Sequence, residues 1–134
     1  MKITTVFLAI LFLLTGCQSK VDNQNSSNNQ KSMEMENEKS AIEKLLFSYR
    51  DALNASSTDQ VLPLYTASGV FMPSNAPTAA GQAQVKDAYD FVFKNIQLKI
   101  EFFIDEIEVH GDIAFARTSS KGTTLIHATG QTVP

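Results

Sequence analysis

The stretch Gln97–His110, QLKIEFFIDEIEVH, constrains the fold more than any other part of this chain. Leu98, Ile100, Phe102 and Ile104 alternate with Lys99, Glu101, Phe103 and Asp105, the period of two that gives a strand one buried face. The apolar phase then moves to odd positions at Ile107 and Val109, so one extra residue has to be absorbed around Asp105–Glu106. A β-bulge absorbs it, bending the strand and increasing its twist. A long, bent strand with one apolar face is the wall of a curved sheet. What precedes it reads as helices that fill the concavity.

The first of these helices is expected to begin at the capping box Ser40-x-x-Glu43 or a turn earlier. Ile42, Leu45, Leu46, Tyr49 and Leu53 lie on one face, and Asn54-Ala-Ser-Ser ends it. Thr58 is the expected cap of a short second helix, Asp59–Tyr65, tightened or kinked by Pro63. Gly69–Met72 reads as a brief strand stopped by Pro73, and Ser74–Ala80 as a loop. A third helix, Gln82–Asn95, turns Val85, Ala88, Tyr89, Val92 and Ile96 inward. After the bent strand, His110-Gly111-Asp112 is a tight turn. Ile113–Ser120 follows as a strand, extended by Thr123–Ala128, and Thr129-Gly130-Gln131 starts another turn. Helices first and an antiparallel sheet after make an α+β domain.

The N-terminus is an address. A single positive charge at Lys2 precedes an apolar run of about 12 residues, well short of the roughly 20 that cross a bilayer as a helix. Leu14-Thr15-Gly16-Cys17 resembles the lipobox of bacterial lipoproteins. That resemblance implies cleavage after Gly16 and acylation of Cys17, with residues 1–16 as signal peptide. A plain signal peptide with a chance cysteine is the alternative. A diacylglyceryl group, with palmitate-type chains, satisfies the two-chain condition for stable anchoring. The expected location is the cell envelope, at the outer membrane if the organism has two. Residues 17–39 are then the lipidated cysteine and a tether, because VDNQNSSNNQKS has too little apolar surface to fold. Residues 40–134 form the domain.

A net charge of −3, with lysines and arginines scattered and no basic stripe, argues against a nucleic-acid partner. One cysteine rules out an intrachain disulfide, and no Cys-His metal spacing or Gly-rich phosphate loop is present, so neither metal nor cofactor is expected.

The order of elements, with YRDALNASSTDQVLPLY leading into GVFMPSNAPTAAGQAQVKDAY, resembles the nuclear transport factor 2-like superfamily. Within it the nearest likeness is to the SnoaL-like branch, including proteins labelled SgcJ/EcaC and relatives of ketosteroid isomerase. The resemblance runs from about Ser40 to Pro134 and implies a cone-shaped, curved antiparallel sheet packed on three N-terminal helices. Members normally continue with two more strands that close the sheet. A chain ending at Pro134 therefore reads as a truncated product or an incomplete gene, its last strand left with an open edge. In the ketosteroid isomerase branch a helix-one tyrosine donates to the developing oxyanion, and Tyr49 matches it. The general-base aspartate would fall just before the proline that ends the first strand, where this chain has Met72.

The resemblance thus implies an apolar pocket lined by Tyr49, Met72, Tyr89, Phe102 and Arg117. Tyr49 is alternatively a core tyrosine bonded to a carbonyl. Arg117 shares a side with Ile113 and Phe115, so it either points into the cup, needing an anion, or lies at the rim with its head in water. His127 is a possible base or an exposed strand histidine. Asp105 and Glu106 are adjacent carboxylates at the bulge, and Phe103 is a large apolar residue on the polar face, either singly exposed or part of a homodimer surface on the outer face of the sheet. Two functions follow. One is a lipid-anchored envelope protein whose pocket binds a small apolar or amphipathic ligand, or a partner, without catalysis. The other is an acid–base enzyme of the isomerase, cyclase or hydratase type, using Tyr49 with Arg117 or His127. A purely structural dimerisation module is not separable from the first by sequence.

Overall fold

The computed structural model describes residues 21–134. The expected leader and the lipidation site Cys17 lie outside the described residues. Helix α1 spans Val21–Asn54, so Ser40 is interior and its capping box caps nothing. The stretch expected as a flexible tether is helical from Val21 onward. Extending an existing helix costs far less than nucleating one, and the segment MEMENEK (33–39) is rich in strong helix formers. Positions 28–38 are exposed, so backbone hydrogen bonds rather than packing hold this extension. The last turns of α1 reach the core, through Ala52 and Leu53, with Tyr49 packed against them. Leu45, expected on the inner face, is 46% exposed.

Helix α1 ends in a Schellman motif. Ser57 N–H donates to the Ala52 carbonyl and Ser56 N–H to that of Leu53. Ser56 itself takes the left-handed conformation, at φ +51°. Helix α2, Thr58–Val61, is capped by Ser57, whose side chain accepts from Gln60 N–H, rather than by Thr58. It tightens at Pro63 into a 3-10 turn, Leu62–Leu64, as a proline at that place dictates.

Strand β1, Val70–Phe71, pairs antiparallel with β2, Ala79–Ala80. The latter falls inside the segment expected to be loop. Two alanines carry no alternation, and only the pairing with β1 makes them a strand. Helix α3, Gly81–Asn95, follows directly and buries Val85 and Tyr89.

Strand β3, Ile96–His110, is the expected bent ribbon. Ile104 opposes Thr118 and Glu106 opposes Arg117, so Asp105 is the extra residue of a bulge. The half-buried positions step by two from Ile96 to Ile104 and resume at Ile107 and Val109, as the phase change requires. A two-residue turn with Gly111 at φ +61° leads into β4, Ile113–Ile126. At Gly122, opposite Ile100, the strands crowd together. A Cβ there would lie 2.1 Å from the Lys99 carbonyl oxygen, so only glycine fits. Strand β5, Gln131–Val133, pairs with the last residues of β4, giving that end the hairpin partner the sequence reading withheld. The sheet order is β3-β4-β5. The outcome is an α+β domain with a bent antiparallel sheet packed on helices that precede it.

Tertiary contact is concentrated on one face of β3. Leu98, Ile100 and Phe102 pack against a core whose largest fully buried members are Val61, Val85 and Tyr89. Burial of each valine contributes roughly 1.5–3 kcal/mol. Asn54, the last residue of α1, ties the helix to the strand from the other side. Its Nδ2 donates to the Ile100 carbonyl and its Oδ1 accepts from Ile100 N–H, both at 2.8 Å. One amide side chain thereby substitutes for a neighbouring strand at the free edge of β3.

Candidate functional site

Three elements each deliver one tyrosine to the same place. Helix α1 supplies Tyr49 a turn above Leu53. The end of the 3-10 turn supplies Tyr65, whose carbonyl accepts from Gln82 Nε2 at 3.0 Å. Gly69 lets the Tyr65 ring lie against the following chain, since a Cβ there would meet its Cδ1 at 2.9 Å. Helix α3 supplies Tyr89, which is 1% exposed. These are all the tyrosines of the chain.

The Tyr89 hydroxyl is the centre of a three-member chain, 2.5 Å from the Tyr49 hydroxyl and 2.9 Å from that of Tyr65. The Tyr89 ring stacks on Phe71 with centroids 4.7 Å apart. Phe93 lies 5.7 Å away on the same helix, and Phe102 of β3 sits 6.0 Å from Tyr49. The surroundings are therefore aromatic and poor in water. Burial is the largest influence on Tyr49 and pushes its hydroxyl up to about 12, against the pull of a hydrogen bond from Tyr89. Burial also raises Tyr89, which stays protonated well beyond Tyr49.

The count of protons decides what this chain of hydroxyls can do. Three O–H groups joined by two hydrogen bonds use two protons as donors, and a third remains. Where Tyr89 donates to Tyr49 and Tyr65 to Tyr89, the spare proton is that of Tyr49; where Tyr49 is the donor to Tyr89, the spare proton is that of Tyr89 or Tyr65. Tyr49 is half-buried.

Of the residues proposed from the sequence, Tyr49, Tyr89 and Phe102 come together here. Three do not. Met72 is 76% exposed, beyond the end of β1. Arg117 faces away from the helices, because its partner in register, Glu106, belongs to the outer face. Its guanidinium reaches Asp105 and Glu106, each at 3.3 Å, and closes the bulge. The extra residue that bends β3, Asp105, thus also supplies one of the two carboxylates that hold this arginine, and its neighbour Glu106 the other. His127 stands at the far end of β4, exposed, with Nδ1–H donating to the Lys94 carbonyl at 2.8 Å, where it caps the end of α3. Sequence reasoning left out Tyr65, Phe71 and Phe93. Tyr65 carried a usable signal: three tyrosines, each on an apolar face, each need a hydroxyl partner, and they supply one another. Among the described residues no group of His, Cys, Asp or Glu is arranged to hold a metal.

A scan against protein-family models finds no match, and neither does a search of curated proteins. Solved structures do match. A ketosteroid isomerase-like protein from Erwinia carotovora atroseptica SCRI1043 is 31% identical, with a TM-score of 0.66 over 69% of this chain and 72% of that one. A conserved protein from Planctomyces limnophilus DSM 3776 has a TM-score of 0.63 at 15% identity, over 72% of this chain and 75% of that one, a likeness of fold alone. With the helices, the bent sheet and the first of these relatives in agreement, the chain belongs to the ketosteroid isomerase-like proteins, on the nuclear transport factor 2/SnoaL-like fold.

Proposed function

We propose that this is a lipid-anchored envelope protein whose domain binds a small apolar or amphipathic molecule through a hydrogen bond from Tyr49. One observation carries the reading: the Tyr49–Tyr89–Tyr65 chain, set among Phe71, Phe93 and Phe102, leaves one hydroxyl proton to donate. An aromatic setting strengthens such a bond, and a ligand oxygen is the natural acceptor. Binding without turnover is favoured because proton abstraction needs a base within hydrogen-bond reach. Met72 occupies the position where the resemblance puts that base. The carboxylates of Asp105 and Glu106 are held by Arg117 on the other face, and Glu101 is held by Arg50.

The test is binding of a neutral aryl ketone such as acetophenone, followed by tyrosine fluorescence. Tyr49→Phe should weaken binding about tenfold, the worth of one such hydrogen bond. Unchanged affinity in that variant overturns the reading. The acid–base enzyme remains a second reading, because a donor chain in apolar surroundings is also what stabilises an enolate oxygen. It rests on Tyr49 alone, since Arg117 and His127 stand elsewhere. Exchange of the ketone's α-protons in deuterated water, lost in Tyr49→Phe, would establish it.

Anchoring rests on the lipobox-like run ending in Cys17, and no described helix is long and apolar enough to cross a membrane. Cys17→Ser is expected to lose palmitate labelling and membrane association together. A variant still sedimenting with membranes would rule the anchor out. Phe103, Ile113 and Phe115 stand exposed on the outer face and suit a second copy there.

A further inference from the structure

Strand β5 covers only Thr124–Ile126 of β4, so Ile113–Thr123 has no strand on that side among the described residues. Every position of that stretch is exposed except the half-buried Ala116. Asn54 reveals which backbone groups face the open side. It takes both groups of Ile100 on the side of β3 away from β4. Antiparallel pairs alternate between bonded and unbonded, so Phe102 and Ile104 turn away from β4 as well. The residues opposite them, Ser120 and Thr118, then send their own N–H and C=O to the open side. The bond from His127 N–H to the Asn95 carbonyl has the phase this requires. The bulge lies in β3, so the alternation runs on along β4 to Ala116 and Ala114.

Sheet edges are ordinarily blunted by proline, a bulge or a charge reaching across them. Ile113–Thr123 contains no proline. Its two charges are engaged within the chain: Arg117 holds Asp105 and Glu106, and the Lys121 ammonium sits over the Phe103 ring at 5.4 Å. We propose that a second copy of the chain pairs with this edge, β4 antiparallel to β4, joining two sheets into one across a two-fold axis at Thr118. Length, phase and charge agree on that occupant and that register. Pairing has to stop at Thr123, where β5 begins, and only an axis at Thr118 uses the whole of Ile113–Thr123. The same axis sets Thr118 against Thr118 and Ser120 against Ala116, the residues whose backbone groups are free. It also sets Arg117 against the second copy's Ser119, and Lys121 against the second copy's Phe115, a second ring for an ammonium that already sits on one. An axis at Arg117 would oppose the two arginines, and one at Ser119 would oppose Arg117 to Lys121.

The experiment is sedimentation equilibrium with amide hydrogen exchange by NMR, on the full-length protein in a zwitterionic detergent. Sedimentation should show a dimer that dissociates on dilution. In the dimer the amides of Ala116, Thr118 and Ser120 should exchange at least about tenfold more slowly than after dilution, while those of Arg117 and Ser119, already bonded to β3, should change far less. Thr118→Pro removes the N–H at the axis without breaking the ladder to β3, and proline is tolerated where an edge N–H faces outward. This variant should be monomeric with an unchanged circular dichroism spectrum, and Ser120→Pro repeats the test should Thr118→Pro not fold. A monomer at high micromolar concentration would overturn the proposal, as would a folded Thr118→Pro variant that still dimerises. A dimer whose Thr118 and Ser120 amides exchange freely would also overturn it, and is what stacking of outer faces through Phe103, Ile113 and Phe115 gives. Protection that persists on dilution would overturn it too, by placing a segment of the same chain on the edge.

Discussion

Burial pushes the Tyr49 hydroxyl up to about 12, against 10.0 for the free side chain, and raises Tyr89 further still. Between these values the unfolded chain has released a proton that the folded one retains, so stability is intact below pH 10 and falls as pH rises toward 12. The expected slope is up to about 1.4 kcal/mol per pH unit for each such tyrosine. Urea unfolding at pH 8, 10 and 11, followed by circular dichroism, measures it. Tyr49→Phe should flatten the fall, and the same fall in that variant would remove Tyr49 from the account. The hydroxyl chain was only half legible in the sequence. Tyr49 and Tyr89 announce themselves by helical spacing, but Tyr65 joins them only because the proline-tightened turn and Gly69 aim its ring back at α3.

Among the elements, β3 was the most legible, bulge included. The reason is that its apolar phase change is a local record of which face is buried. The start of α1 was not legible, because a helix can be continued through polar sequence by propagation without any buried face to betray it. Neither β2 nor β5 was legible, since both are too short to alternate and exist only through partners distant in the chain. The join between α1 and β3 depends on Asn54, whose side chain satisfies both backbone groups of Ile100. Asn54→Ala should therefore cost about 2–3 kcal/mol, from two lost hydrogen bonds and two partly buried groups left unmet. A denaturant midpoint measures the total, and faster hydrogen exchange at the Ile100 amide would localise it. Exchange unchanged at Ile100 would mean that another group, or water, takes the place of the amide.

At the scale of the whole molecule the architecture is lopsided. The core gathers where the last turns of α1, the α2 segment, α3 and the first half of β3 meet, while positions 28–38 of α1 are exposed and add helix without burial. Deleting residues 1–31 should lower helical signal yet change unfolding free energy by no more than about 0.5 kcal/mol. A larger loss would show that the projecting turns pack on something. The same lopsidedness gives the sheet two different faces, one closed over aromatic rings and one carrying the exposed Phe103, Ile113 and Phe115.

The sequence by itself determined the α+β class, the bent strand and the helix faces of Tyr49 and Tyr89, because those follow from the periods of apolar residues along a local stretch of backbone. Only the tertiary structure decided that three hydroxyls bond to one another and that Arg117 turns outward to the bulge. It alone also turned the Glu101 carboxylate to Arg50 rather than to Lys121 across the strand pair. Each of those outcomes is a choice of partner among residues far apart in the chain, settled by which groups burial and register bring within hydrogen-bond reach.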